Sequence, residues 1–178
     1  TTHSMKNFLD LLRLMRPHQW IKNTFVFIGL LFGHAWHDPL LVSKVVLAFA
    51  AFCLVSSAVY ILNDIVDIEQ DRHHPKKSKR PLPSGQVTLK AAVALAVLIA
   101  TLGLALAFRA APLVLYIVLL YALMNVAYSL WLKHVVILDV FVIATGFMLR
   151  ILAGTLGVGV PPSQWLLLCG LMVTLFLG

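Results

Sequence analysis

LVSKVVLAFAAFCLVSSAVYILNDIVDIEQD, Leu41 to Asp71, is the stretch that decides the fold. Its first part, Leu41 to Leu62, is an apolar run long enough to cross a bilayer as a helix. Its last part turns polar abruptly. At about 100° per residue, Tyr60, Asn63, Asp64, Asp67 and Asp71 fall on one narrow stripe, with Glu69 roughly opposite. A membrane helix therefore ends by presenting three carboxylates on one face. Like charges at these spacings repel, the more so near a membrane, so the stripe requires a counter-charge. Hard carboxylate and amide oxygens suit Mg²⁺, which keeps waters and completes its shell with substrate phosphates. The next residues, Arg72, Lys76, Lys77, Lys79 and Arg80, supply cations for the remaining oxygens of a diphosphate. An acid face followed by a basic loop points to Mg²⁺-diphosphate chemistry. A solvated loop whose Lys and Arg only set topology is the plainer reading. The alignment of Asp64, Asp67 and Asp71 argues against it.

Outward from this stretch the chain is apolar. Of 178 residues, 61% are hydrophobic and 12% charged, and the mean hydropathy of +0.93 is that of an integral membrane protein. The formal net charge of +7 is concentrated at the ends of apolar runs, which suits anionic lipid headgroups and phosphate substrates rather than nucleic acid. Cys53 and Cys169 lie inside apolar runs and are expected to be buried free thiols. Thr1 to Ser4, ahead of Met5, is read as a tag remnant, and no cleavable signal peptide is expected in Thr1 to Trp20, which is polar to amphipathic.

The expected architecture is all-α, a polytopic transmembrane bundle of about five complete spans plus a partial sixth, forming a single membrane-embedded domain over 1–178. Asn7 to Met15 reads as a short interfacial helix, ended by Pro17. The spans follow at Ile21 to Ala35, Leu41 to Leu62, Leu89 to Phe108, Leu113 to Leu132 and Val135 to Gly157. Gln164 to Gly178 is short for a complete span, so the domain is expected to be truncated at its C-terminal end. Thr88 is placed to cap the helix after the basic loop, and His34, His37 and Asp38 read as a solvated turn at the far end.

Several polar residues sit at membrane depth. Lys22 and Asn23 stand near the start of the first span, where Lys22 either snorkels or contacts a phosphate. Tyr121, Asn125 and Tyr128 form a stripe that either bonds helix to helix or lines a substrate cavity. Asp139, Gly146, Arg150 and Gly157 form another. Arg150 lies about 16 Å along the helix from Asp139, so its charge requires a different partner: a carbonyl, an acid of another helix or an anionic ligand. Lys6, Arg13, Arg16, Lys22, the Arg72 to Lys90 group and Lys133 alternate to one side, against Lys44 and Arg109 on the other. The rich side is expected to be cytoplasmic, gathering the aspartates, the basic loop, Lys22, Lys133 and Asp139 there.

NDIVDIEQD with RPLPSG resembles the first aspartate-rich motif and loop of the UbiA-type membrane prenyltransferase superfamily. RPHQWIKN at Arg16 to Asn23, DRHHPKKSKRP at Asp71 to Pro81, YSLWLKH at Tyr128 to His134 and LDVFVIATGFMLRILAG at Leu138 to Gly154 are similar to its decaprenyl-phosphate phosphoribosyltransferase branch. The resemblance covers nearly the whole chain. It implies part of a nine-span bundle in a plasma (inner) membrane, with a second polar motif beyond the sixth span. It further implies Mg²⁺-dependent transfer of a phosphoribosyl group from phosphoribosyl diphosphate to a polyprenyl (decaprenyl) phosphate, releasing diphosphate. Asp64, Asp67 and Asp71 would carry the chemistry and, with Asn63, hold Mg²⁺. Lys22, Asn63, Arg72, Lys76, Lys79, Arg80, Tyr128 and Lys133 would bind substrate, in a chain able to form a homo-oligomer. An aromatic polyprenyltransferase using a polyprenyl diphosphate and a non-enzymatic ion-binding or assembly module are the competing readings.

Overall fold

The computed structural model describes residues 2–177, and every regular element among them is helical. An amphipathic helix, α1 (Thr2–Met15), precedes a 3-10 stretch, Pro17–Phe27, that runs into a short α2 (Ile28–Phe32). Then come α3 (Pro39–Val66), α4 (Ile68–Arg72), α5 (Leu89–Ala110), α6 (Pro112–Ala127), α7 (Val136–Gly154) and α8 (Gln164–Leu177). A π-helical turn, Tyr128–Leu132, extends α6, and a 3-10 turn, Leu156–Val158, follows α7. The tag remnant expected at Thr1 to Ser4 begins outside the described residues.

Four segments are long and apolar enough to cross a membrane: Pro39–Val66, Leu89–Ala110, Pro112–Leu132 and Val136–Val158. The protein is a multi-pass membrane protein. The first expected span takes another form: 3-10 winding replaces the α-helix over Pro17–Phe27, because this segment must turn Asn23 inward to polar partners on α3. Segment 164–177 is a single apolar helix, α8.

Helix starts obey local chemistry. Asp38 accepts from the backbone N–H of Leu40 (3.0 Å) and Leu41 (3.3 Å), with Pro39 opening α3. Thr88 accepts from Ala91 N–H at 3.2 Å and caps α5 as expected. α3 is the central helix: 61% of its most apolar window is buried, against 22–33% for the other three, whose outer faces carry the apolar residues that lipid covers. One core joins α3 to α6 and α7 through Phe52, Val114, Val118 and Leu149; a second joins α3 to α1 and α5 through Leu14, Ile61, Ala92 and Ile99. The 3-10 stretch lies hard against α7, where a Cβ on Gly154 would fall 1.7 Å from the Val26 carbonyl oxygen. Cys53 is buried as expected, but Cys169 is exposed on α8, because that helix meets its neighbours along one side only.

Candidate active site at the aspartate end of the bundle

α3 stops at Val66, and Asp67 stands at the joint with α4. Helical hydrogen bonding nevertheless crosses it: Asp67 N–H donates to the Asn63 carbonyl (3.0 Å) and Asp71 N–H to the Asp67 carbonyl (2.8 Å). The aspartates are thereby divided. Asp64 and Asp71 are each only 2% exposed and share one arginine. Nη1 of Arg80 donates to Asp64 Oδ1 at 3.2 Å and to Asp71 Oδ2 at 2.9 Å. Arg16 donates to Asp64 at 2.5 Å while its guanidinium lies 5.3 Å from the Tyr60 ring centroid. Lys77 Nζ is 3.7 Å from Asp71. Carboxylates this buried are stable only when paired, and protein cations supply much of the counter-charge that the stripe demands. The basic loop is held in this pose by buried Pro81, Leu82 and Pro83, with Leu82 packed into the α1–α3–α5 core.

Asp67 faces elsewhere. With Asn63, Gln70, Lys77, Tyr128, Lys133 and His134 it lines a polar cavity of about 340 Å³, and Lys133 donates to Asp67 across it. The π-helical turn makes this possible: Lys133 N–H donates to the Tyr128 carbonyl at 3.1 Å, five residues back, and the wider turn carries Lys133 round toward α3. Among the described residues no three His, Cys, Asp or Glu side chains group as a metal cage. Asn63 and Asp67, one turn apart on the cavity wall, still fit Mg²⁺: two hard oxygens, with waters and substrate phosphates completing the shell.

A second cavity, of about 240 Å³, lies deeper between the 3-10 stretch, α3, α6 and α7, lined by Lys22, Tyr60, Tyr121, Asn125, Tyr128, Asp139, Gly146 and Arg150. Tyr128 lines both cavities, and its hydroxyl donates to Asp139 at 2.5 Å. Arg150 is 5% exposed. Its Nε donates to Asn23 Oδ1 (2.8 Å) and its Nη2 to the Tyr121 hydroxyl (3.2 Å). Its guanidinium stacks near the rings of Tyr121 (4.9 Å), Phe147 (5.3 Å) and Phe52 (5.8 Å).

Of the residues singled out from sequence, Asn63, Asp67, Tyr128 and Lys133 meet at the polar cavity, Lys22 lines the deeper one, and Asp64, Asp71 and Arg80 form the clamp. Arg72 is drawn off by exposed Glu69 at 2.6 Å, and Lys76 and Lys79 are exposed and make no ion pair among the described residues. Arg16 and Gln70 escaped sequence reasoning as site residues. Arg16 had a signal, since a residue before proline avoids the right-handed helical region. Here it adopts a left-handed conformation, φ 50°, that turns the chain and aims its side chain at Asp64.

Residues 23–178 match the UbiA prenyltransferase family. The chain belongs to that family. Among its relatives, the decaprenyl-phosphate phosphoribosyltransferase of Mycolicibacterium smegmatis is 35% identical over 97% of this chain and 56% of its own length. The enzyme of that name from Corynebacterium glutamicum is 34% identical over 97% and 53%. The chain thus spans about half the length of these relatives. A UbiA homolog from Archaeoglobus fulgidus, solved bound to GPP and Mg²⁺, superposes with a TM-score of 0.79 at 20% identity, covering 94% of this chain and 60% of that one. A digeranylgeranylglyceryl phosphate synthase structure gives 0.80 at 27% identity, covering 95% and 60%. These UbiA neighbours agree with the all-helical membrane bundle expected from the sequence, and the relatives place the chain near the phosphoribosyltransferase branch.

Proposed function

We propose that the protein containing this chain is a Mg²⁺-dependent phosphoribosyltransferase that moves a phosphoribosyl group from phosphoribosyl diphosphate to a polyprenyl phosphate. The observation that carries this reading is the polar cavity where Asn63 and Asp67 oxygens meet the ammonium groups of Lys77 and Lys133. Such a lining accepts a diphosphate and its metal together. The names of the relatives supply the acceptor and the group transferred, and phosphoribosyl diphosphate is the donor that carries that group on a diphosphate.

In the reaction a phosphate oxygen of the lipid bonds to the anomeric carbon while the carbon–oxygen bond to diphosphate breaks, and diphosphate leaves with the bonding pair. Asn63 and Asp67 would hold the Mg²⁺, which when bound would supply charge neutralisation to the leaving group. Lys77 and Lys133 line the cavity in which the leaving diphosphate would sit, so their preorganised charges would act where negative charge develops. No base is needed, since the lipid phosphate is already an anion. Asp64 and Asp71 hold Arg80 and hence the loop that carries Lys77. The bias of Lys and Arg to this end supports a site that faces the cytoplasm.

The test uses the full-length protein in nanodiscs with Mg²⁺, a polyprenyl phosphate and phosphoribosyl diphosphate labelled in the ribose. Label should pass to the lipid with release of diphosphate. Turnover of a polyprenyl diphosphate with an aromatic acid, and none with phosphoribosyl diphosphate, would overturn the proposal in favour of aromatic prenyl transfer.

A further inference from the structure

Besides the donor's diphosphate, which the proposal above assigns to the polar cavity, the two substrates bring two phosphate monoesters, one on the donor's sugar and one on the acceptor lipid. The loop cations do not build a second buried anion site: Lys76 and Lys79 are exposed and line neither cavity, and Lys77 already lines the polar one. Arg80 is committed to Asp64 and Asp71, Arg72 to Glu69, and Lys77 lies within 3.7 Å of Asp71.

Arg150 is in the opposite state. It is buried, yet among the described residues it makes no ion pair, and both of its hydrogen-bond partners, Asn23 and Tyr121, are neutral. Asn23 is itself held by Cys53 and Ser56, so this side of the guanidinium is fixed. The remaining nitrogen, Nη1, donates to no acceptor among the described residues and lies over Gly146, where a Cβ would approach it to 3.2 Å. Gly146 and Arg150 line the deeper cavity together, and Lys22 brings a second cation to it. Asp139, the one carboxylate in that lining, is engaged by the Tyr128 hydroxyl. A buried guanidinium beside a cavity, with neutral partners behind and a second cation ahead, is costly unless an anion completes it.

We infer that the deeper cavity is a second phosphate site, distinct from the diphosphate cavity, in which Arg150 and Lys22 bind a phosphate monoester. Tyr128, common to both linings, puts the two sites side by side, so a monoester bound at one is adjacent to a diphosphate bound at the other. The role of the monoester in transfer rests on the proposed function; the site itself rests on Arg150, Lys22 and Gly146.

Direct binding to the full-length protein in nanodiscs separates the two. Two probes, ribose 5-phosphate and farnesyl monophosphate, represent the sugar phosphate and the lipid phosphate, and their affinities are measured without turnover by titration calorimetry. Arg150→Gln and Lys22→Met should each weaken one probe at least tenfold, and Gly146→Ala, which crowds Nη1, should weaken the same probe. Lys22 is exposed, so Lys22→Met reports on binding even where Arg150→Gln folds poorly. Loss confined to ribose 5-phosphate assigns the site to the donor, and loss confined to farnesyl monophosphate assigns it to the acceptor; either supports the inference. Absent phosphoribosyl transfer together with Lys22-dependent monoester binding removes the proposed function and leaves the site standing. Affinity for both probes within twofold of the parent in folded Lys22→Met protein, or binding of neither probe to the parent, overturns it.

Discussion

Replacing Arg80 by Met tests how the aspartate end is held together. Its Nη1 is the shared partner of two carboxylates that are each 2% exposed, at 3.2 Å and 2.9 Å. Charged hydrogen bonds of this kind contribute about 1.5–3 kcal/mol each, and orphaning a buried charge costs about 3–5 kcal/mol. Neither carboxylate is orphaned completely, since Arg16 stays on Asp64 at 2.5 Å and Lys77 on Asp71 at 3.7 Å. Arg80 is also about one-third exposed, so water screens part of the loss. The expected destabilisation is therefore about 2–3 kcal/mol, below the full cost of a broken buried pair. Because one nitrogen makes both contacts, the guanidinium fork is not used, and Arg80→Lys should recover more than half of the loss. Reversible unfolding in mixed micelles measures these differences, and a cycle with Asp71→Asn isolates the coupling. Asp71→Asn should reduce the cost of Arg80→Met by about 1 kcal/mol or more, on the scale of one charged hydrogen bond. Strict additivity of the two changes, or Arg80→Lys as damaging as Arg80→Met, would refute the shared-clamp reasoning.

Asp67→Ala in the full-length protein should lower turnover about tenfold or more, the equivalent of about 1.4 kcal/mol in the barrier, while Glu69→Ala, whose side chain is 78% exposed and pairs only with exposed Arg72, should change it less than twofold, roughly the scale of a surface pair; equal damage from both in a steady-state assay would sink the assignment of Asp67 to the site. Gly154→Ala should cost about 3 kcal/mol or prevent folding, because the new methyl meets backbone rather than a movable side chain; monodisperse, parent-like protein on size exclusion and thermal unfolding would contradict the close packing of the 3-10 stretch on α7. In a cysteine-free background, a cysteine at Ser78 should be labelled by an impermeant maleimide from the cytoplasmic side and one at His37 from the opposite side. Labelling of both from one side would invalidate the shared orientation of the loop, Lys133 and the aspartates.

Apolar runs broken by charged turns are enough to make this chain a helical membrane protein, because in a bilayer a backbone without water must bond to itself. The helical hydrogen bonding of the aspartate stretch is local information too, since it depends on residues four apart and crosses the joint at Asp67, although Asp67 itself faces a different cavity from the Asp64–Asp71 pair. So are the caps at Asp38 and Thr88, each set by atoms within three residues. What tertiary structure alone decided is which charges meet. Arg72, Lys77 and Arg80 look equivalent in sequence, yet one is lost to Glu69, one reaches Asp71 while lining the cavity, and one bridges Asp64 and Asp71, since buried Pro81, Leu82 and Pro83 fix how the loop folds back. Lys133 reaches Asp67 across 66 residues because a π-helical turn swings it there, and Arg150 meets Asn23 across 127 because the 3-10 stretch presses against α7. Electrostatic energy depends on distances in space that helical periodicity does not contain, and so the residue types and the faces they share are local properties of this chain, whereas their pairing belongs to the fold.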